Sequence, residues 1–239
     1  MSSTGRSEAL FQHEDLPLPV EIRGVRGAKR LRLRLDEKRG VLKLTGPLQM
    51  NRKAALDWAA EQRGWVETQV GAMLPPEPFV SGATIPLEGV EVLLHWSERA
   101  PRTPRLESNR LECGGPQEGF ARRAEAYLKR RALDVLSRET ADAAGRAGVS
   151  LRSVSVGDAG TRWGSCSAAG RIRYSWRLIL APPEVRRYVV AHEVAHLVHM
   201  DHGPKFKALE RRLFEGDAVA ARLLLRRIGA RLKRIGRTR

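Results

Sequence analysis

The stretch Arg30-Leu31-Arg32-Leu33-Arg34-Leu35 alternates strictly, so three Leu share one face and three Arg the other, the pattern of a half-buried strand. Asp36-Glu37-Lys38-Arg39-Gly40 supplies a turn and Val41-Leu42-Lys43-Leu44 a return strand, which predicts an antiparallel hairpin. The patterned region begins at Val20; residues 1–18 are polar, contain Pro and read as a loose arm. Asn51 suits a helix N-cap, and Ala54, Ala55, Trp58, Trp65, Val66 and Val70 form an apolar stripe as far as about Leu74, where Pro75-Pro76 ends it. Both Trp are read as packing residues. Residues 83–87 and 89–96 are rich in branched side chains and predict two strands, with a further strand over 104–112.

Cys113-Gly114-Gly115-Pro116 marks a composition shift, so residues 19–115 are expected to form a β-rich unit with one helix, and residues 116–239 a second domain. In the second part Phe120, Ala124, Tyr127, Leu128, Ala132, Val135 and Leu136 recur at helical spacing. They predict one long helix over 117–145, ending near Gly145 or Gly148 and placed to cover the later motif helix. Residues 153–156, 161–167 and 171–176 read as short strands, the last two joined by Ala168-Ala169-Gly170. Ala181-Pro182-Pro183-Glu184 then opens a helix, with Pro at its first positions and an acid in its first turn. Residues 206–213 are helical in pattern, as are 218–239, where Leu224, Ile228, Leu232 and Ile235 share a face. That last helix is expected to dock by its apolar face and leave Arg222, Arg226, Arg227, Arg231, Lys233, Arg234, Arg237 and Arg239 to solvent; contact with a membrane or nucleic acid is the alternative.

With 239 residues, 42% of them apolar, the chain can bury a core in one large domain or two modest ones. A net charge of +16, from 43 Lys and Arg against 27 acids, invites a polyanionic partner. The Arg are scattered, however, and aromatics are only 5%, too few for a single-strand binder that stacks bases. The Arg face at 30–34 is read as solvated rather than as a phosphate strip. No run of 18 apolar residues exists, and Met1-Ser2-Ser3-Thr4-Gly5-Arg6-Ser7-Glu8 lacks the apolar stretch of a secretion signal, so a cytoplasmic chain is expected. Cys113 and Cys166 are too few for a disulfide framework and read as reduced, buried thiols.

The chemistry concentrates at Val190-Ala191-His192-Glu193-Val194-Ala195-His196-Leu197-Val198-His199-Met200-Asp201-His202-Gly203. In a helix, residues four apart sit about 40° apart on one face, so His192 and His196 can aim at one point. Glu193 is turned away from that point too far to be a ligand, yet is near enough to act on a water at the same metal ion, as in zinc hydrolases. A chance His-Glu-x-x-His arises in roughly one chain in a hundred of this composition. Clustering argues against chance: four of the six His fall between 192 and 202, and Gly203-Pro204 breaks the helix just beyond.

Zinc needs a third protein ligand, and His202 is the candidate, because the residues around it allow the chain to turn back. His199 competes, but on a continuous helix it would stand about 10 Å further along the axis than His192. Three ligands would leave a position open, as catalysis requires. The bound water would be acidified to a pKa of about 7, with Glu193 taking its proton and passing it to the leaving group.

Thr161-Arg162-Trp163-Gly164-Ser165-Cys166-Ser167, Tyr174-Ser175-Trp176-Arg177-Leu178, Ala181-Pro182 and the extended motif His-Glu-x-x-His-x5-His-Gly-x-x-Phe resemble the YgjP-like metal-dependent hydrolases, which are similar to SprT-like zinc metallopeptidases. The resemblance is sharp over residues 150–210 and departs at Lys207, where Trp is frequent. It implies an α+β, zincin-like metallopeptidase domain, a short antiparallel sheet plus an active-site helix, beside a β-rich N-terminal unit. It also implies Zn2+ on His192, His196 and His202, a catalytic Glu193, and a strand from Arg162 to Ser167 lining the cleft.

Trp163, Gly164 and Ser165 are candidate substrate-binding residues, since a Gly and a small Ser on an edge strand let a substrate backbone pair by β-addition; a tight turn under the core is the other reading. Arg177 can hold a substrate carboxylate or phosphate, or form a structural ion pair. The leading function is a zinc metallopeptidase acting on a peptide or protein. A nucleoside triphosphate pyrophosphatase, an activity also attached to the family, stands as the alternative on the same site. A basic nucleic-acid-associated protein with a structural zinc is the third reading.

Overall fold

In a computed structural model, residues 10–36, 39–73, 75–160 and 162–238 are described. The first half of the expected arm, Glu37 and Lys38 of the expected turn, Leu74, Thr161 and Arg239 lie outside the described residues. The chain divides into two compact units, Met1–Leu74 and Pro75–Arg239. The division therefore falls earlier than the boundary read at Cys113–Pro116. The reason is packing: Ile85, Leu87, Val92, Leu94, Leu111 and Cys113 share one core with Phe120, Leu128 and Leu136.

In the first unit, β1 (Leu10–Phe11), β2 (Val20–Val25), β3 (Arg32–Asp36) and β4 (Val41–Pro47) form a sheet of order β1-β2-β4-β3. The expected hairpin is present: β3 and β4 are antiparallel, with Leu33 opposite Leu44 and Leu35 opposite Leu42. The expected single helix is two, α1 (Arg52–Glu61) and α2 (Arg63–Met73). Asn51 caps α1, its side chain accepting from the Ala54 N–H at 3.1 Å. Val20, Leu42, Leu44, Ala55, Ala59 and Val66 fill the core, and Trp58 packs against it. Trp65 remains 36% exposed, so only one of the two Trp is a packing residue.

In the second unit, β5 (Thr84–Leu87), β6 (Val90–Trp96), β7 (Arg105–Glu107) and β8 (Arg110–Cys113) repeat the same order, β5-β6-β8-β7. The single strand expected at 104–112 is a hairpin. Ser108 and Asn109, with φ of 46° and 59°, make its two-residue turn. A 3-10 turn at Gln117–Gly119 leads into α3 (Phe120–Ala147), which Gly148 ends at φ 69°. The third sheet holds β9 (Ser153–Gly157), β10 (Gly164–Cys166) and β11 (Arg171–Ser175), with β11 central. It is mixed rather than antiparallel: β10 runs against β11, but β9 runs with it. The chain crosses from β9 to the far edge before folding back, and that crossover sets β9 and β11 in one direction.

A 3-10 segment, Trp176–Leu180, leads into α4 (Pro183–Ala195), followed by α5 (Pro204–Phe214) and α6 (Ala218–Arg234). Helix α4 is pinned to α3 by buried Arg186, whose Nη2 donates to Glu139 Oε1 at 2.7 Å and whose Nε bonds the same carboxylate. Helix α6 begins at Asp217, whose carboxylate accepts from the Val219 and Ala220 N–H groups. It docks on a face shifted from the expected one: Ala221, Leu225, Gly229 and Leu232 are buried, Leu224 and Ile228 only partly so, and Arg226 and Lys233, expected in solvent, are buried as well. Several of its Arg are paired rather than free in solvent: Arg231 and Arg234 both reach Glu77, at 3.1 and 3.0 Å. No helix among the described residues is long and apolar enough to cross a membrane.

Candidate metal centre

Helix α4 is amphipathic in a way that fixes the motif: Val185, Val189, Val190 and Val194 are buried and leave His192 and His196 on the neighbouring, half-open side. The helix ends at Ala195, with His196 as its C-cap. The Leu197 N–H bonds the Val194 carbonyl at 3.0 Å and the Val198 N–H bonds the Ala195 carbonyl at 3.2 Å, so the chain tightens and leaves the axis. It re-enters a helix at Pro204, and His202 is carried back over the end of α4.

One nitrogen from each of His192, His196 and His202 lies within 4.8 Å of the others. The Nε2 atoms of His192 and His202 are 3.4 Å apart. Two donors on a tetrahedral ion with bonds of about 2.0–2.1 Å stand roughly 3.3–3.4 Å apart, so this pair already has the spacing zinc asks for. The outward nitrogens are engaged elsewhere. His192 Nδ1 meets Glu210 Oε1 at 2.7 Å, and His196 Nδ1 donates to the His199 carbonyl at 3.1 Å. Such contacts fix the tautomer and leave Nε2 free to ligate.

Phe206, 1% exposed, forms the apolar floor, with its ring centroid 5.1, 4.6 and 4.8 Å from those of His192, His196 and His202. Burial first, then the neighbouring imidazoles, lowers the pKa of His196 and of His202, which favours the neutral, ligating form.

Glu193 is only 6% exposed and faces β10. Burial pushes its carboxyl up to about 7, against the pull of His192 and Arg162. The cleft wall is close here: a β-carbon on Gly164 would stand 2.6 Å from Glu193 Cγ and 2.7 Å from its Cδ. Cys166, two residues along the same strand face, has its thiol pushed up to about 11 by burial and by the Glu193 carboxylate.

The four expected substrate-binding residues part company. Gly164 and Ser165 lie on β10, an edge strand beside α4, with Gly164 against Glu193 and the Ser165 hydroxyl on the opposite face. Trp163 turns away: its indole is buried against Gly229 of α6, and Lys233 Nζ sits 5.1 Å from the ring centroid. Arg177, 2% exposed, is the structural ion pair. Its Nε and Nη2 clamp Asp158 at 2.7 and 3.1 Å, and Nη1 donates to the carbonyls of Leu232 and Ile235 at the end of α6.

Glu210 is not singled out by the sequence, and His199, read there as a competitor of His202 that supports the site or faces solvent, takes part only through its backbone carbonyl. Glu210 had a readable signal, since it lies four residues after Phe206 and so on the same face of α5. The role of the His199 carbonyl depends on where α4 stops, which spacing alone leaves open.

The family model described as YgjP-like, metallopeptidase domain, matches residues 29–227 of the chain. No curated protein and no solved structure matches.

Proposed function

The chain belongs to the YgjP-like metallopeptidase family, and from that premise we propose that it is a zinc-dependent peptidase whose ion is held by His192, His196 and His202. The observation that carries this reading is the convergence of three imidazoles whose ring nitrogens lie within 4.8 Å of one another, one pair already at 3.4 Å, beside one buried carboxylate that is not among them. Three protein ligands with an open position suit catalysis, whereas a structural site closes with four.

Zinc, when bound, acidifies a water and polarises a carbonyl oxygen. Glu193 then takes the proton of the attacking water at its carboxylate and returns it to the departing amine, work typically worth 10² to 10⁴ in rate. Glu210 holds His192 and the His199 carbonyl holds His196, so two of the rings arrive oriented. The outer edge of β10 takes the substrate backbone by strand addition, and the missing side chain at Gly164 lets Glu193 stand against that strand. Phe206 excludes water from beneath the rings.

The phosphoanhydride alternative relied on arginine to hold phosphates, and Arg177 is committed to Asp158 and to α6. The peptide reading is therefore preferred. Zinc-loaded protein offered a quenched peptide library, and separately UTP, separates the two. Peptide cleavage abolished by Glu193→Gln supports the proposal; pyrophosphate release without peptide cleavage refutes it.

A further inference from the structure

The face of the third sheet opposite the metal centre is a surface that hydrolysis does not use. Strand register places Ser153 and Ser155 of β9, Arg171 and Arg173 of β11 and Ser165 of β10 on that face. Gly164, Ile172 and Tyr174 point the other way, towards Glu193 and the core. Ser153, Ser155, Arg171 and Arg173 are exposed, and Arg152, which precedes β9 and lies outside its register, is exposed beside them in sequence. Gly157 adds a seat: a β-carbon there would stand 2.6 Å from Nε and 2.9 Å from Cζ of Arg173, so only glycine lets the guanidinium lie against the strand.

Charge on this face is uncompensated. From Ser150 to Ser175 the sequence carries four Arg and one acid, Asp158, and that acid is clamped by Arg177. Among the described residues no ion pair engages Arg152, Arg171 or Arg173. Among the described residues the face has no apolar anchor either, since the exposed large hydrophobics lie outside the span between Leu133 and Val198. That argues against an ordinary protein partner or an inserted membrane. Trp163, Tyr174 and Trp176 are buried, so no ring is presented for stacking on an unpaired base. What remains is guanidinium and hydroxyl donors spread over an open sheet, the chemistry of phosphate contacts.

We propose that this face docks the phosphate backbone of duplex nucleic acid, with Arg171 and Arg173 as the charged contacts on the face, Arg152 as a flanking one just before β9, and Ser153 and Ser155 as hydroxyl donors. Strand β10 stands between the duplex and the metal centre, so docking leaves the cleft open to a peptide. The proposal is independent of the peptidase reading.

The test uses the full zinc-loaded chain and a fluorescein-labelled duplex DNA of about 20 base pairs, a span that admits several phosphate contacts, titrated at a series of salt concentrations. In R152Q/R171Q/R173Q the slope of log affinity against log salt should fall by roughly 3, with affinity at low salt down at least about tenfold. R122Q/R130Q/R227Q, with the same charge change on exposed helix positions, should bind like the wild type. Ser155→Glu, which keeps every Arg but sets a carboxylate among them, should also weaken binding. Equal losses in the two triple variants, or undiminished binding in the sheet variants, overturn the proposal. Displacement of the duplex by polyglutamate or by anionic vesicles as effectively as by unlabelled duplex also overturns it. Unchanged zinc content and thermal melting show that each variant is folded.

Discussion

Gly164 and Glu193 are so closely apposed that any side chain at position 164 must displace the carboxylate: an added β-carbon would lie 2.6 Å from Cγ and 2.7 Å from Cδ of Glu193. The glycine of the edge strand therefore sets where the acid stands. Gly164→Ala should displace Glu193, costing about 1–3 kcal/mol by overpacking. Zinc content should be retained while peptide cleavage is lost. Thermal melting with metal analysis checks this, and full activity in the variant would show that Glu193 does not need its present position.

Glu210 and His199 make opposite predictions although both support the rings. Glu210 acts through its carboxylate, so Glu210→Gln should weaken zinc binding about 10- to 100-fold, measured by competition with a chelator. His199 acts through its backbone carbonyl, so His199→Ala should keep wild-type zinc affinity. His202→Ala, by contrast, should lose the metal.

Arg177, in the segment before α4, clamps Asp158 just after β9 and also bonds the carbonyls at the end of α6. Burial alone would raise the Asp158 pKa, but the Arg177 guanidinium, with Arg237 and Lys129, outweighs it and holds the carboxyl below the usual range. A carboxyl depressed in the folded chain stabilises it above the unfolded value, about 3.9, and that contribution is lost as pH falls through the folded value. The melting temperature of Asp158→Asn should therefore lie below that of the wild type at pH 5 and above, with the gap closing as the pH drops below about 4. A gap that widens in acid would contradict the assignment.

Cys166 lies on the cleft strand with its thiol pushed up to about 11 by burial and by Glu193. At neutral pH it is protonated and should resist iodoacetamide, with alkylation of the folded protein rising only in strongly alkaline buffer. Fast labelling at pH 7.5, read by mass spectrometry, would contradict this placement.

The convergence of His192, His196 and His202 was legible because its determinants are local. The spacing of His192 and His196 follows from helix geometry, and the turn that brings back His202 is written in Gly203 and Pro204. The alternating Leu at 31–35 likewise gave the β3–β4 hairpin without help from the rest of the chain. What failed depends on long-range packing. Gly114 and Gly115 resemble a linker, yet β5 to β8 bury Leu94 and Leu111 in the core that Phe120 and Leu128 share. Trp163 and Arg177 sit beside the motif in sequence, but both are claimed by α6, which arrives more than fifty residues later. The direction of β9 is set by a crossover that period-two patterning does not encode.

Zinc-edge X-ray absorption on metal-loaded protein tests the central claim most directly. Three imidazole nitrogens at about 2.0–2.1 Å and one oxygen donor from outside the protein are predicted, with the same spectrum for Glu193→Gln. A sulfur ligand, four imidazoles, or a spectrum unchanged in His202→Ala would contradict it.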